Sequence, residues 1–280
     1  METTLRGSMQ SVTISPDRPA VIIGERINPT GRERLAAELL EGDFSMVREE
    51  ARAQVAQGAD AIEVNVGAAG VDQVEVLPGA VAAAAEVVDV PISIDTDDPQ
   101  ALAAALEVCP GRPLVNSVTG EEKSLERVLP LVREHDTAVI ALTMDDKGIP
   151  DTPEGRLEVA RNILERAEGM GIPRQDVIVD CLALTVGADH RAALVTLEAV
   201  RLVQEELGVN QVLGASNVSF GLPDRGAIND LFLAMAICQG LTCAITNPAR
   251  TRRAILISDL LMGRDEFSMR YINFFRQQQG

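Results

Sequence analysis

Residues 91–117 read PISIDTDDPQALAAALEVCPGRPLVNS, and this stretch decides the fold. Residues 91–96 form a short, largely apolar run that closes on Asp95 and Thr96. Asp97 and Asp98 then stand where a helix N-cap belongs, with Pro99 suited to the first helical turn. Residues 99–108 are dense in Ala and Leu, strong helix formers. The chain breaks at Pro110, Gly111 and Pro113, and a new apolar run opens at Leu114 and closes on Asn116 and Ser117. A strand without polar alternation is buried on both faces, and two such strands joined by a helix lie parallel.

The same unit recurs in both directions. Strands are predicted over 21–27, 61–66, 91–96, 114–118, 138–144, 177–182, 211–217 and 243–247. Helices are predicted between them, among others over 44–57, 99–108, 124–135, 153–170, 191–207 and 228–239. Eight β-then-α units without a long linker predict an α/β protein, a (β/α)8 TIM barrel in one domain over residues 21–280. Residues 1–20 read as an exposed lead-in and 276–280 as a frayed tail. An open doubly wound sheet is the competitor. It would place a glycine-rich phosphate loop after its first strand, whereas residues 24–32 read GERINPTGR and lack the G-x-G-x-x-G spacing.

Composition narrows the function classes. The chain has 280 residues, a net charge of −17, 2% aromatic residues and no Trp. That acidic excess repels a phosphate backbone, and the scarcity of aromatics leaves little for base stacking, so nucleic acid is excluded as a partner. Neither a secretory h-region nor a membrane-length apolar run is visible, which predicts a cytoplasmic protein that does not engage membranes. The four cysteines, Cys109, Cys181, Cys238 and Cys243, form no C-x-x-C pair and read as core thiols.

In a barrel of this kind the active site lies at the carboxyl ends of the strands. Those ends carry Glu25 and Asn28, Asn65, Asp95, Asn116 with Ser117, Thr143 with Asp145, Asp180, Ser216 with Asn217, and Thr246 with Asn247. The set is rich in carboxylates and carboxamides and poor in cations. Carboxylates accept paired N–H donors, and Asn both donates and accepts, so the rim suits a neutral heterocycle rich in N–H and C=O groups. An Asp or Asn after a strand also serves as a turn residue or helix cap, the preferred reading for Asp97, Asp98 and Asp224. Asp95, Asn116, Asp180 and Asn217 differ, because each lies within or ends an apolar run.

Covalent and metal chemistry find little support. The two histidines, His135 and His190, have no partner at metal-ligand spacing, so no metal is expected on this chain. Cys181 has no base beside it in sequence, and only Lys123 and Lys147 could form a Schiff base.

The order of motifs along the rim resembles the methyltetrahydrofolate–corrinoid protein methyltransferases, which share a pterin-binding barrel with dihydropteroate synthase. The matching segments are IGERINPTGR (23–32), EVNVG (63–67), SIDT (93–96), LVNS (114–117), LTMDDKGIP (142–150), IVD (178–180) and LGASNVSFGLP (213–223), one per strand end. The resemblance is greatest to the stand-alone second methyltransferases of corrinoid-dependent demethylation systems. It implies that Asp95, Asn116 and Asp180 hold the pterin ring, that Asn217 acts at the pterin N5, and that Gly214 and Ser216 complete the same patch. It further implies Arg225 for the carboxylated folate tail. Glu25 and Asn65, which end strands on the same rim, are added as candidate substrate contacts. Tetrahydrofolate or methyltetrahydrofolate is then the substrate, a small corrinoid protein brings the cobalamin-type cofactor, and a homodimer is expected. Dihydropteroate synthase activity and a non-catalytic folate-binding or corrinoid-docking module remain open as alternatives.

Overall fold

The structure, a computed structural model, describes the backbone of residues 1–279 and the side chains of residues 1–276. Two short strands come first, β1 (Thr3–Arg6) and β2 (Ser11–Ile14), paired as an antiparallel hairpin. Then follow β3 (Val21–Ile27), α1 (Glu33–Leu40), α2 (Ser45–Ala56), β4 (Ala61–Asn65), α3 (Gln73–Ala85), β5 (Ile92–Asp95) and α4 (Pro99–Val108). The chain continues through β6 (Leu114–Thr119), α5 (Glu122–Glu134), β7 (Ala138–Leu142), α6 (Pro153–Gly169), β8 (Val177–Asp180) and α7 (Ala192–Glu206). It ends with β9 (Gln211–Gly214), α8 (Arg225–Cys238), β10 (Cys243–Thr246), α9 (Pro248–Leu261) and α10 (Met269–Gln279).

Strands β3 to β10 are all parallel and close into a barrel, with β10 pairing both β9 and β3. The expected (β/α)8 TIM barrel is therefore observed. Local signals set its parts. Asp98 caps α4 by accepting from the Gln100 N–H at 2.8 Å, and Pro99 opens that helix. Gly24 lets α2 approach β3, since a Cβ there would meet Gln54 Oε1 at 2.4 Å. The freed Gln54 Oε1 accepts from the Arg26 N–H at 2.8 Å.

Alternate strand residues face the barrel axis. Val21, Ile23, Ala61, Leu114, Ala138, Ile140, Ile178, Val212 and Cys243 form one apolar cluster there, distinct from the larger layer between strands and helices. Leu5 and Ile14 belong to this inner cluster and have no exposure. The first twenty residues are thus not an exposed lead-in; their hairpin closes the floor of the barrel. Arg112 and Asn210 pin it there: Arg112 Nη1 donates to the Thr4 carbonyl at 2.7 Å and Asn210 Nδ2 to the Ile14 carbonyl at 3.0 Å. At the other terminus helix α10 runs to Gln279, so the expected fraying from 276 is not seen in the described backbone, and Gly280 lies outside the described residues. The strand predicted to reach Asn217 ends at Gly214, where residues 215–219 wind into a 3-10 turn.

Candidate active site

The inward alternation that packs the floor with apolar groups turns polar at the strand ends. Along β4 the inward residues are Ala61, Glu63 and Asn65; along β6 they are Leu114 and Asn116; along β8 they are Ile178 and Asp180. Register then aligns the polar layer: Asn65 is level with Asp95, Asp95 with Asn116, and Leu142 with Asp180. Sequence separation of 115 residues between Asn65 and Asp180 vanishes because closure of the barrel is cylindrical.

Each polar side chain has a specific neighbour. Asn65 Nδ2 donates to Asp95 Oδ2 at 2.9 Å, and Asn65 Oδ1 accepts from the Gly67 N–H at 2.8 Å. Asn116 Nδ2 donates to Glu63 Oε2 at 2.8 Å. Asp180 Oδ1 accepts from the Leu182 N–H at 2.6 Å. Ser216 Oγ lies 3.5 Å from Glu25 Oε2. Asn65 therefore holds Asp95, a role that sequence reading does not separate from direct substrate contact.

Two cavities at the mouth, among the described residues, are lined by the polar strand ends. One, of about 380 Å³, is lined by Asp95, Asn116, Ser117 and Leu142 on the strands and by Lys123 and Arg127 on α5. The other, of about 490 Å³, is lined by Glu25, Glu63, Ser216, Asn217, Arg225 and Arg250, among others. Asp180 is only 5% exposed and lines neither cavity. Gly214 stands beside Asn217, and a Cβ there would sit 3.7 Å from Asn217 Nδ2. All the residues singled out on the rim thus gather at one end of the barrel, with Asp180 set beneath the two openings.

Burial dominates the electrostatics. Desolvation pushes Asp95 and Asp180 up to about 6, partly opposed by the hydrogen bond from Asn65 and by backbone N–H groups respectively. Glu63, 4% exposed, is raised well above the ordinary carboxylate range by burial, and next by the adjacent Asp95 charge. Burial also raises Glu25, against the pull of Arg26. Four carboxyls raised by burial accept N–H donors once ionised. Cys181 is fully buried and burial pushes its thiol far up, which suits packing and not nucleophilic attack. Among the described residues no group of three or more His, Cys, Asp or Glu side chains could hold a metal ion. No helix among them is long and apolar enough to cross a membrane.

Two arginines shape the site. Arg225 clamps the turn that carries Asn217: its Nη2 donates to the Ser216 carbonyl at 2.8 Å and its Nε to Ser219 Oγ at 3.0 Å. Its guanidinium also lies 5.8 Å from the Phe220 ring centroid. Arg156, which the sequence reading does not single out, is 1% exposed. It donates to the carbonyls of Cys181 at 2.7 Å, Leu182 at 2.8 Å and Pro150 at 3.0 Å, fixing the chain just beyond Asp180. Asn28 and Asn247 take the plainer role: Asn28 Oδ1 accepts from the Thr30 N–H, and Asn247 caps α9.

Comparison with known proteins places this geometry. A family model described as pterin binding enzyme matches residues 24–247. The chain is 30% identical over 267 residues to a methylcorrinoid:tetrahydrofolate methyltransferase of Eubacterium limosum, covering 92% of this chain and 96% of that protein. It is 28% identical to a methionine synthase of Mycobacterium tuberculosis over 89% of this chain, which spans 22% of that longer protein. Among solved structures, Yersinia pestis DHPS superposes with a TM-score of 0.73 at 18% identity, covering 94% of this chain and 99% of that one. Dihydropteroate synthase of Xanthomonas albilineans, in complex with 7,8-dihydropteroate, superposes with a TM-score of 0.63 at 18% identity, covering 89% and 95%. At such identity the structural likeness speaks for the barrel alone.

Proposed function

Because the chain belongs to the pterin binding enzymes, in the family of the methylcorrinoid:tetrahydrofolate methyltransferases, we propose that it moves a methyl group between N5 of tetrahydrofolate and the cobalt of a separate corrinoid protein. The observation that carries this reading is the meeting, at one barrel mouth, of the acceptors Asp95 and Asn116 with the exposed carboxamide of Asn217.

The pterin ring offers a 2-amino group and ring N–H donors. Ionised Asp95 and Asp180 accept from such donors, and Asn116 adds a carboxamide to the same wall. Asn65 and Arg156 act behind them, the first on the Asp95 carboxylate and the second on the backbone after Asp180. Glu25 and Ser216 border the ring on the Asn217 side. The carboxylated tail is anionic, and a net charge of −17 cannot draw it from a distance. Arg225, Arg26 and Arg250 line the 490 Å³ cavity and supply the local positive charge.

The corrinoid brought by the partner supplies a cobalt centre able to give or take a methyl cation. The chain's own task is at N5. Transfer in either direction passes through an N5 with positive character, since a neutral tertiary amine is a poor leaving group. Asn217 Oδ1 accepts a hydrogen bond from protonated N5, and the same carboxamide can rotate to donate to the N5 lone pair. The clamp by Arg225 holds the turn from which Asn217 works. The same family resemblance supports a small corrinoid protein as partner, a homodimer and a cytoplasmic setting.

Stopped-flow mixing of the protein with cob(I)alamin and methyltetrahydrofolate tests the proposal. Protein-dependent conversion of the cob(I)alamin spectrum to that of methylcobalamin is expected. A rate equal to that without protein would overturn it.

A further inference from the structure

Glu63 has no place in the reading above, yet it is among the least solvated acids of the molecule. It points into the barrel from β4, is 4% exposed, and faces Asp95, Glu25 and Asp180. Its register partner Ser93 is also fully buried and carries an Oγ with no hydrogen-bond partner. A carboxyl among three others is unfavourable for folding, so its location calls for a function beyond packing.

Its one side-chain hydrogen bond supplies that function. Glu63 Oε2 accepts from Asn116 Nδ2 at 2.8 Å. A carboxamide has a donor end and an acceptor end; Glu63, ionised or protonated, keeps an oxygen that accepts, and the 2.8 Å contact turns the Nδ2 end toward it. With Nδ2 taken by Glu63, the end of Asn116 left for the 380 Å³ cavity is its oxygen. Asp95, level with Asn116, holds its own remaining oxygen open in the same way, because Asn65 occupies only Oδ2. The strand side of the cavity, formed by Asp95 and Asn116, therefore presents acceptors, and two residues of β4 make it so.

We propose that Glu63 is a positioning residue that fixes the Asn116 carboxamide with its oxygen toward the ring, so that the site selects reduced pterins over fully oxidised ones. The proposal rests on the pterin reading. A reduced pterin carries an N–H at N8, which an acceptor wall satisfies. A fully oxidised pterin carries a lone pair there, which an acceptor wall repels. A rotated Asn116 would present its NH2 and remove the distinction. Polar mismatches of this kind give stronger discrimination than shape differences, because a buried group is left unpaired.

Titration calorimetry with tetrahydrofolate and folic acid, under reducing conditions, tests it on four proteins. The wild type is expected to prefer tetrahydrofolate. Glu63→Met removes the acceptor at similar volume and should reduce that preference by about tenfold or more. Glu63→Gln can either accept from or donate to Asn116 and should retain only part of the preference. The double variant Glu63→Met with Asn116→Asp should regain it, because a carboxylate presents an oxygen in either rotamer. A Glu63→Met protein that keeps the wild-type ratio, or that weakens both ligands equally, overturns the proposal. So does a folded double variant that fails to regain the ratio. Wild-type protein that binds both ligands equally overturns this proposal alone; wild-type protein that binds neither overturns the pterin reading itself. Hydrogen exchange of the Asn116 side-chain amide, followed by NMR in the unmutated protein, needs no variant: slow exchange is expected, and exchange at the rate of a free carboxamide overturns the assignment.

Discussion

The floor and the mouth of the barrel are made by the same strands, with side chains aimed at the same axis. On β8 the inward pair is Ile178 and then Asp180; on β6 it is Leu114 and then Asn116. Two residues along the strand convert a sealed apolar layer into an array of acceptors. The floor is closed by the hairpin residues Leu5 and Ile14 and is fully buried. The mouth gathers desolvated carboxyls whose mutual repulsion works against folding. Packing density below supports that unfavourable charge above, which is why a large barrel can host such a site.

This contrast can be broken at either end. The largest effect is expected at the floor. Leu5→Ala should cost about 2–5 kcal/mol of unfolding free energy in urea titration. Methyl transfer per folded molecule should stay at the wild-type level. A loss of rate at unchanged stability would show that the hairpin reaches the site.

The mouth should answer in the opposite sense. Asp180→Asn is expected to weaken folate binding by about tenfold or more in calorimetry, by turning one acceptor into a donor. The melting temperature should hold or rise, because a buried carboxylate has been removed. Unchanged affinity would remove Asp180 from ring recognition.

The pH dependence follows from the same carboxyls. Asp95 and Asp180 both titrate near 6, above their ordinary value of 3.8. A raised folded-state value means these two groups favour the fold in acid, fully below about 3.8, and lose that contribution as pH rises through about 6. Ring binding needs their ionised forms. Folate affinity should therefore fall by about tenfold or more between pH 7 and pH 5, while the contribution of these groups to stability increases. Affinity that rises on acidification over that interval would place other groups at the ring.

Much of this was legible from strand grammar. Asp95, Asn116 and Asp180 end apolar runs, and a barrel must present such ends to its mouth. The chain before Val21 gives no such signal because it has no apolar run; its buried apolar side chains, Leu5, Ile14 and Ala20, are scattered along it. Glu63 carried a signal that was available. Asn65 points inward, so period 2 places Glu63 inward as well. Arg156 carried none, since it lies inside a helix of ordinary amphipathic composition and its partners are main-chain carbonyls and the distant Thr196 hydroxyl. The division of labour between Asn65 and Asp95, or Glu63 and Asn116, needs the register of three strands and cannot be seen one strand at a time.

We infer that the mouth transfers a methyl group at the pterin N5 through Asn217. Single-turnover transfer between methyltetrahydrofolate and cob(I)alamin, measured with Asn217→Ala beside the wild type and with folate affinity recorded in parallel, tests it most directly. The transfer rate should fall by about a hundredfold or more, with affinity changed only a few-fold. Wild-type transfer rates in a folded Asn217→Ala protein would contradict it.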